Sequence, residues 1–391
     1  MGNNIQLSKE ILKLHETLTH DVYDKGGRLL LRRGTSLESE ELIERLANIG
    51  YYDPQAVDGA KAASAVHEEI IPLGYVPDKG NAFSALSKLN WVCSRLQAAI
   101  ADAGVELEKE VFLLAACIHQ CCALDSDAST STLLMGLAYP SNIRHPVNVA
   151  VLTTVLLARK KLDEARTHAA IAAALTMNIG AQELHDELFF RSDELTGEQY
   201  ARIRAHPQAS VAALRARKVT NELWLDIVSQ HHEAYDGSGY PAGLTGDEIL
   251  YEAQVVSMAD RFCSLVSERA GRDPMLPPQA LRDIHTRHGK ALGPEMIGAL
   301  VAAVGIYPPG TCVRLVNGET AVVVHRLLDP KRPVVYAIAA QSGSAFDPPR
   351  KRLTASQPAY AIEHAVLRKT VKVPLDPAQL WPAVHVNPQA S

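Results

Sequence analysis

Residues 230–244 read QHHEAYDGSGYPAGL and decide more about the fold than any other stretch of the chain. His231 and His232 are adjacent at the predicted end of a helix, so their side chains point about 100° apart and can reach two neighbouring metal ions. The DGSG segment that follows predicts a tight turn, because glycine adopts a positive φ at little cost. Pro241 fixes its own φ and restricts Tyr240 before it, which holds the tyrosine ring in a set direction. Taken alone, the stretch is also compatible with an ordinary helix end and a surface loop.

The composition around this stretch is that of a folded protein with two or three domains. The chain has 391 residues and a net charge of −5, with 47% hydrophobic and 21% charged residues. These values argue against a disordered chain and a basic nucleic-acid binder, so we expect no DNA or RNA partner. The longest mostly apolar run, residues 147–158, is shorter than the roughly 20 residues that a membrane span needs. The first residues, MGNNIQLSKE, lack the pattern of a signal peptide, and we therefore expect a cytoplasmic protein without a membrane span.

Six cysteines are too few for a disulfide scaffold of this length, and none form a CxxC pair, which favours a reducing compartment. Cys117, His119, Cys121 and Cys122 share one apolar helical stretch, LLAACIHQCCAL. A metal site there would need ligands from a second element, so buried thiols are the favoured interpretation.

The pattern of elements divides the chain into four parts. Residues 1–60 predict a small α/β module, with an extended run RLLLRR and a helix over residues 36–50, and residues 61–82 predict a linker. Residues 83–305 are helical in pattern almost throughout. Residues 306–391 predict a small β extension and a tail, because Asn317-Gly318 between two apolar runs is a strong hairpin signal and residues 334–338 supply a third strand.

The order HHExxDGxGYPxGL resembles the signature of the HD-GYP family, helical metal-dependent phosphodiesterases that hydrolyse the bacterial messenger cyclic di-GMP. Gly246, Asp247, Glu248 and Ile249 continue the pattern, and the resemblance covers roughly residues 135–340. It implies a mostly α fold, an HD-type helical bundle with a small N-terminal α/β module and a small C-terminal β extension.

The resemblance also implies a set of site residues. Its metal ligands, for iron or manganese, correspond to His145, His206, His231, His232 and Asp260. Its phosphate contacts correspond to Tyr240, Arg269 and Arg272, and its GYP loop to Asp236, Gly237, Gly239, Tyr240 and Pro241. A carboxylate such as Asp260 within an apolar helical run needs a partner, which a cation, a helix cap or a salt bridge would provide.

The chain departs from the family where the His-Asp dyad and a following Lys are expected. Met177, Asn178 and Ala181 occupy those three positions, and Ser141 stands where many members carry a metal-binding Glu. An Asn amide is a poor bridge between two cations, and a thioether prefers soft ions. One metal ion held by some of His206, His231, His232 and Asp260 remains compatible with the sequence.

Three functional hypotheses follow from this pattern. The favoured hypothesis is a degenerate HD-GYP protein that binds cyclic di-GMP or a partner, such as a diguanylate cyclase (GGDEF) domain, with weak or no hydrolysis. The alternative is an active phosphodiesterase that uses a reduced metal site, and a scaffold with a vestigial pocket is a third possibility.

Overall fold

The computed structural model of the protein describes a few short pieces of residues 1–52 and most of residues 82–381. The described ranges are 5–6, 22–23, 29–31, 46, 51–52, 82–137, 139–160, 162–181, 196–268 and 273–381. The chain forms two compact units, Met1–Val76 and Pro77–Ser391. The predicted linker lies outside the described residues except for its last position.

The first unit contains a small antiparallel sheet of four short strands in the order β1-β4-β2-β3. The strands are β1 (Ile5–Gln6), β2 (Val22–Tyr23), β3 (Leu29–Leu31) and β4 (Tyr51–Tyr52). Strand β3 confirms the predicted extended run. Leu46, inside the predicted helix, is helical and buried, and the rest of that helix lies outside the described residues.

The second unit is mostly helical, which confirms the predicted fold class. Its helices up to residue 304 are α1 (Ala82–Ala101), α2 (Leu107–Leu124), α3 (Ser126–Met135), α4 (Ser141–Leu157), α5 (Glu164–Thr176), α6 (Gly197–Ala216), α7 (Glu222–Gln230), α8 (Tyr251–Val266), α9 (Pro277–His288) and α10 (Met296–Val304). The predicted capping box at the start of α6 is present, because Thr196 and Gln199 each accept a hydrogen bond from the other's backbone N–H.

Helices α4 and α5 form the centre of the helical core. Residues 146–157 of α4 and residues 169–176 of α5 are all buried. Residues 169, 170, 172, 173 and 174 are alanines, and such small side chains let neighbouring helices approach closely. This packing places His145, near the start of α4, and residues 177–178, directly after α5, at the edge of the core. Met177 is buried there, and His145 and Asn178 are half-buried.

Helices α2 and α3 meet at a sharp bend. Asp125 lies between them and caps α3, since its side chain accepts a hydrogen bond from the Ala128 backbone N–H at 2.8 Å. Within the described residues, no helix taken singly has both the length and the apolar composition of a membrane span. The pair α2 and α3, bent by 111°, meets both criteria when the two are counted together.

A five-stranded antiparallel sheet follows the helices, with the order β8-β7-β6-β5-β9. Its strands are β5 (Cys312–Leu315), β6 (Thr320–His325), β7 (Val334–Ala339), β8 (Ala345–Leu353) and β9 (Ile362–Ala365), and a short helix α11 (Pro377–Leu380) comes after them. The predicted hairpin and third strand are confirmed. Strand β8 was not expected because it contains Pro348 and Pro349, but it lies at the sheet edge, where missing N–H groups are tolerated.

The sheet packs directly on the helices of the second unit. One apolar cluster joins the two parts, and its buried members are Ala85, Ala128, Cys312, Val322, Val324, Ile338, Leu380 and Trp381. At the border of this cluster the Arg326 guanidinium pairs with the Asp127 carboxylate of α3. The Trp381 indole N–H also donates to the Val324 carbonyl at 3.2 Å. The sheet and the helices therefore share a core.

Candidate metal centre and ligand pocket

Three histidines from two helices converge at the centre of the site. His206 lies in α6, while His231 and His232 directly follow α7. One ligand nitrogen from each lies within 4.8 Å of the other two. The ring centroids are 4.2–5.1 Å apart, and His206 and His231 are buried. The structure thus brings together three of the five metal ligands implied by the sequence resemblance.

Backbone carbonyls orient two of these imidazoles. The Nδ1 atom of His206 lies 2.6 Å from the Ile203 carbonyl, and that of His231 lies 2.6 Å from the Val228 carbonyl. A carbonyl can only accept, so each Nδ1 carries the proton and each Nε2 presents a lone pair. The two Nε2 atoms face each other at 3.1 Å. A cation bound to both would remove the repulsion between these lone pairs, so this donor set fits a metal ion.

Burial keeps the imidazoles in the form that binds metals. It lowers the pKa of His232 to about 4, and it lowers the pKa of His206 and, more strongly, that of His231. The nearby negative charge of Asp260 opposes this effect at all three. At neutral pH the three rings are therefore uncharged and able to coordinate a cation.

The remaining two predicted ligands form a pair with each other. His145 Nε2 lies 2.7 Å from Asp260 Oδ1, which joins the start of α4 to the middle of α8. Burial acts to raise the pKa of Asp260, but the hydrogen bond and the charge of His145 lower it overall. Asp260 is therefore a carboxylate at neutral pH, and its side chain is 18% exposed. Its need for a partner is met by His145 in this structure.

A small pocket opens beside His145. It is lined by Ile100, Ser141, Asn142, His145, Pro146, Leu175, Asn178 and Ile179. Its polar lining apart from His145 is neutral, with a hydroxyl and two amides, and the Asn142 Oδ1 atom is buried without a hydrogen-bond partner. Met177 does not line the pocket, because its side chain is fully buried in the helical core. The family pattern expects a His at position 177 and a bridging Asp at position 178. This chain instead has the buried thioether of Met177 and the amide of Asn178.

Tyr240 covers the histidine cluster. Its ring stacks on that of His232, with centroids 4.9 Å apart and planes 25° apart, and burial raises the pKa of its hydroxyl. The Arg204 guanidinium lies 4.9 Å from the centre of the Tyr240 ring, at a distance that permits cation–π attraction. Arg204 was missed because nothing in the sequence distinguishes it from the other arginines of α6. The predicted phosphate contacts Arg269 and Arg272 lie outside the described residues.

Glu233 fixes the GYP loop and was also missed. Its buried carboxylate accepts hydrogen bonds from the backbone N–H groups of Ala242 at 2.6 Å and of Leu244 at 3.0 Å. The Tyr240 N–H in turn donates to the His232 carbonyl at 3.1 Å. The position of Glu233 in the HHE motif was the available signal. The loop that carries Tyr240 is thereby attached to the end of α7.

The glycines and the aspartate of the loop have structural roles. Gly237 has a φ of +77°, which favours glycine. Gly239 lies so close to the preceding backbone that an added Cβ would be 2.2 Å from the Ala234 nitrogen. Asp236 accepts hydrogen bonds from the N–H and hydroxyl of Ser238 at 3.1 and 2.6 Å, and Pro241 follows a cis peptide bond. Tyr240 is the loop residue whose ring stacks on the histidine cluster, at His232.

Known proteins resemble the part of the chain that holds this site. Residues 130–296 match the family described as an HD domain. A cyclic di-GMP phosphodiesterase from Pseudomonas aeruginosa is 27% identical over 340 residues, which cover 82% of this chain and 80% of the relative. One from Thermotoga maritima is 32% identical over 130 residues, 33% of this chain and 35% of the relative. The solved structure of an HDG"Y"P protein from Bdellovibrio bacteriovorus matches with a TM-score of 0.47 and 18% identity, over 76% of this chain and 98% of that chain.

Proposed function

Because the chain belongs to the HD-GYP family, we propose that it acts in cyclic di-GMP signalling by binding the nucleotide, with weak or no hydrolysis. Relatives whose names assign them cyclic di-GMP as substrate support the choice of nucleotide. The observation that carries the proposal is the contrast between the two halves of the site. The histidine cluster and Tyr240 are in place, while the pocket beside His145 has a neutral lining and Met177 is withdrawn into the core.

The donor set supports one metal ion at the cluster of His206, His231 and His232. Imidazole nitrogens suit iron, and we propose iron or manganese as in the family. Such an ion would polarise a phosphoryl oxygen of the nucleotide. Efficient hydrolysis by this family also calls for a bridged second ion and a cationic side chain that stabilises developing negative charge. Asn178 and Ala181 supply neither, and this is the physical reason for the expected loss of activity.

The side chains around Tyr240 suit a nucleotide with two phosphates. The guanidinium of Arg204, which lies over the Tyr240 ring, can pair with a phosphate. The resemblance adds Arg269 and Arg272 as phosphate ligands, since a planar guanidinium matches two phosphate oxygens. The proposed role of this chain's residues is thus to hold and orient the nucleotide.

The second candidate is an active phosphodiesterase with a reduced metal site. The opposed Nε2 atoms of His206 and His231 favour it, because their arrangement is that of ligands ready for a cation. Metal content measured together with hydrolysis separates the two candidates. Purified protein is loaded with iron or manganese, analysed by mass spectrometry, and assayed for conversion of cyclic di-GMP to pGpG or GMP.

We expect at most one ion per chain at the histidine cluster, measured as the metal content that His231→Ala loses relative to the wild type, and weak or no metal-dependent turnover. His364→Ala is the matched control, because its side chain is 58% exposed in β9 and distant in sequence from the site. Circular dichroism checks that each variant is folded. Turnover that requires bound metal and disappears in His231→Ala, but not in His364→Ala, would establish the second candidate.

Binding of the nucleotide is tested by calorimetry. We expect cyclic di-GMP to bind the wild type and to bind far more weakly when Arg269→Ala and Arg272→Ala are combined. Equal affinity in the wild type and this double variant would contradict the assigned ligand pocket, and no binding to the wild type would favour a scaffold.

We further propose a diguanylate cyclase (GGDEF) domain as partner. A cytoplasmic setting is proposed because all six cysteines are free thiols.

A further inference from the structure

A second cluster of metal-binding side chains lies on α2 and α5, away from the elements that carry the histidine cluster described above. His119 Nδ1 lies 3.1 Å from His168 Nε2, and the Glu164 Oε1 atom lies 3.7 Å from the same His168 nitrogen. One ligand atom from each of the three residues lies within 4.8 Å of the other two. From the geometry, we infer that His119, His168 and Glu164 bind a divalent transition-metal ion of the Zn²⁺ type.

The spacing of two of these residues explains why they converge. Glu164 and His168 are four residues apart on α5, so they share one face of that helix. Asp163 caps the helix by accepting a hydrogen bond from the Arg166 N–H at 2.7 Å, which fixes the first turn on which Glu164 lies. Glu164 and His168 therefore lie on consecutive turns at the capped start of α5.

His119 supplies the second element that a metal site in this region requires. It lies in α2, and its ring meets the His168 ring edge to face, with centroids 5.2 Å apart. The neighbouring cysteines of α2 are buried thiols and do not join the cluster in the described residues. The ligands are therefore two imidazoles and a carboxylate rather than thiolates.

These donors indicate the class of the ion. Imidazole nitrogen with carboxylate oxygen suits Zn²⁺ and similar divalent transition metals, whereas Mg²⁺ and Ca²⁺ prefer oxygen ligands. The side chain of His168 is 17% exposed and that of Glu164 is 77% exposed, so water can reach the cluster and complete the coordination. A hydrogen bond between the two imidazoles also accounts for the 3.1 Å distance, and the test distinguishes that structural pair from a metal site.

The experiment measures Zn²⁺ binding to the full chain by equilibrium dialysis and mass spectrometry. The variants are His168→Gln, His119→Gln and the exposed Glu164→Gln, with His364→Gln as the matched control. We expect the wild type and the control to bind one equivalent of Zn²⁺ more than either histidine variant. Glu164→Gln, which perturbs no buried side chain, is expected to keep the site with at least about tenfold weaker affinity.

A second measurement uses the wild type alone, so that it does not depend on the folding of a variant. Carbethoxylation of histidines is mapped by mass spectrometry with and without Zn²⁺. We expect Zn²⁺ to protect both His119 and His168, and His364 to react equally in both conditions. Equal stoichiometry and affinity in folded variants, or no protection in the wild type, would show a hydrogen-bonded pair and overturn the proposal. None of these variants changes His206, His231 or His232, so either outcome is independent of the proposed function.

Discussion

The attachment of the GYP loop to Glu233 leads to a quantitative prediction. The two hydrogen bonds that Ala242 and Leu244 donate are made to one buried carboxylate. Hydrogen bonds to a charged group contribute about 1.5–3 kcal/mol each, so Glu233→Ala should weaken the closed loop by at least about 3 kcal/mol. Since 1.4 kcal/mol is about a factor of ten, the loop should open roughly a hundredfold more often. Glu233→Gln keeps one acceptor and should open the loop about tenfold more often.

The assay is amide hydrogen exchange at Ala242 and Leu244 in the two variants. Glu248→Gln is the control, because its exposed carboxylate accepts from the neighbouring Thr245 N–H at 2.9 Å and makes no bond to either reporter amide. Affinity for cyclic di-GMP should fall in the order wild type, Glu233→Gln, Glu233→Ala, since the loop carries Tyr240. Unchanged exchange at both amides in Glu233→Ala would refute the assignment of Glu233 as the residue that holds the loop.

Three further predictions concern the site. Met177→His combined with Asn178→Asp and Ala181→Lys should raise the iron or manganese content measured by mass spectrometry, and unaltered occupancy would mean that the lost dyad is placed wrongly. Gly239→Ala should lower the free energy of unfolding by about 3 kcal/mol in urea titrations, because its Cβ would lie 2.2 Å from a backbone nitrogen; an unchanged midpoint would contradict the close approach. Burial lowers the pKa of His232 from 6.5 to about 4, so in metal-free protein the unfolded chain takes up a proton that the folded chain does not. Stability should therefore be fully present above pH 6.5 and decline toward pH 4, and this decline should be shallower in His232→Gln.

Local rules were sufficient for much of the fold. The capping box at Thr196 and the turn at Asn317-Gly318 depend on residues that are close in sequence, and both are present in the structure. Strand β8 could not be predicted in this way, because whether Pro348 is acceptable depends on the strand's being at the sheet edge, and that is decided by the pairing of the whole sheet.

The candidate site, like the fold, could be predicted only in part from the sequence. The family resemblance implied that His206 joins the adjacent histidines after α7 at one site, and the structure brings these residues together. The hydrogen bond between His119 and His168 spans 49 residues and depends on how α2 packs against α5, so no local pattern indicated it. The burial of Met177 likewise follows from the packing of the core around the end of α5.

The shared core between the C-terminal sheet and the helices restricts where the polypeptide can be shortened. A protein ending near Gly305 would keep every residue of the candidate metal centre. It would also lack Val322, Val324 and Trp381, which pack in one cluster with Ala85 and Ala128. An apolar face on α1 and α3 would then be open to water. Such a fragment would self-associate through that face, so a minimal soluble version for biophysical work should extend through Trp381.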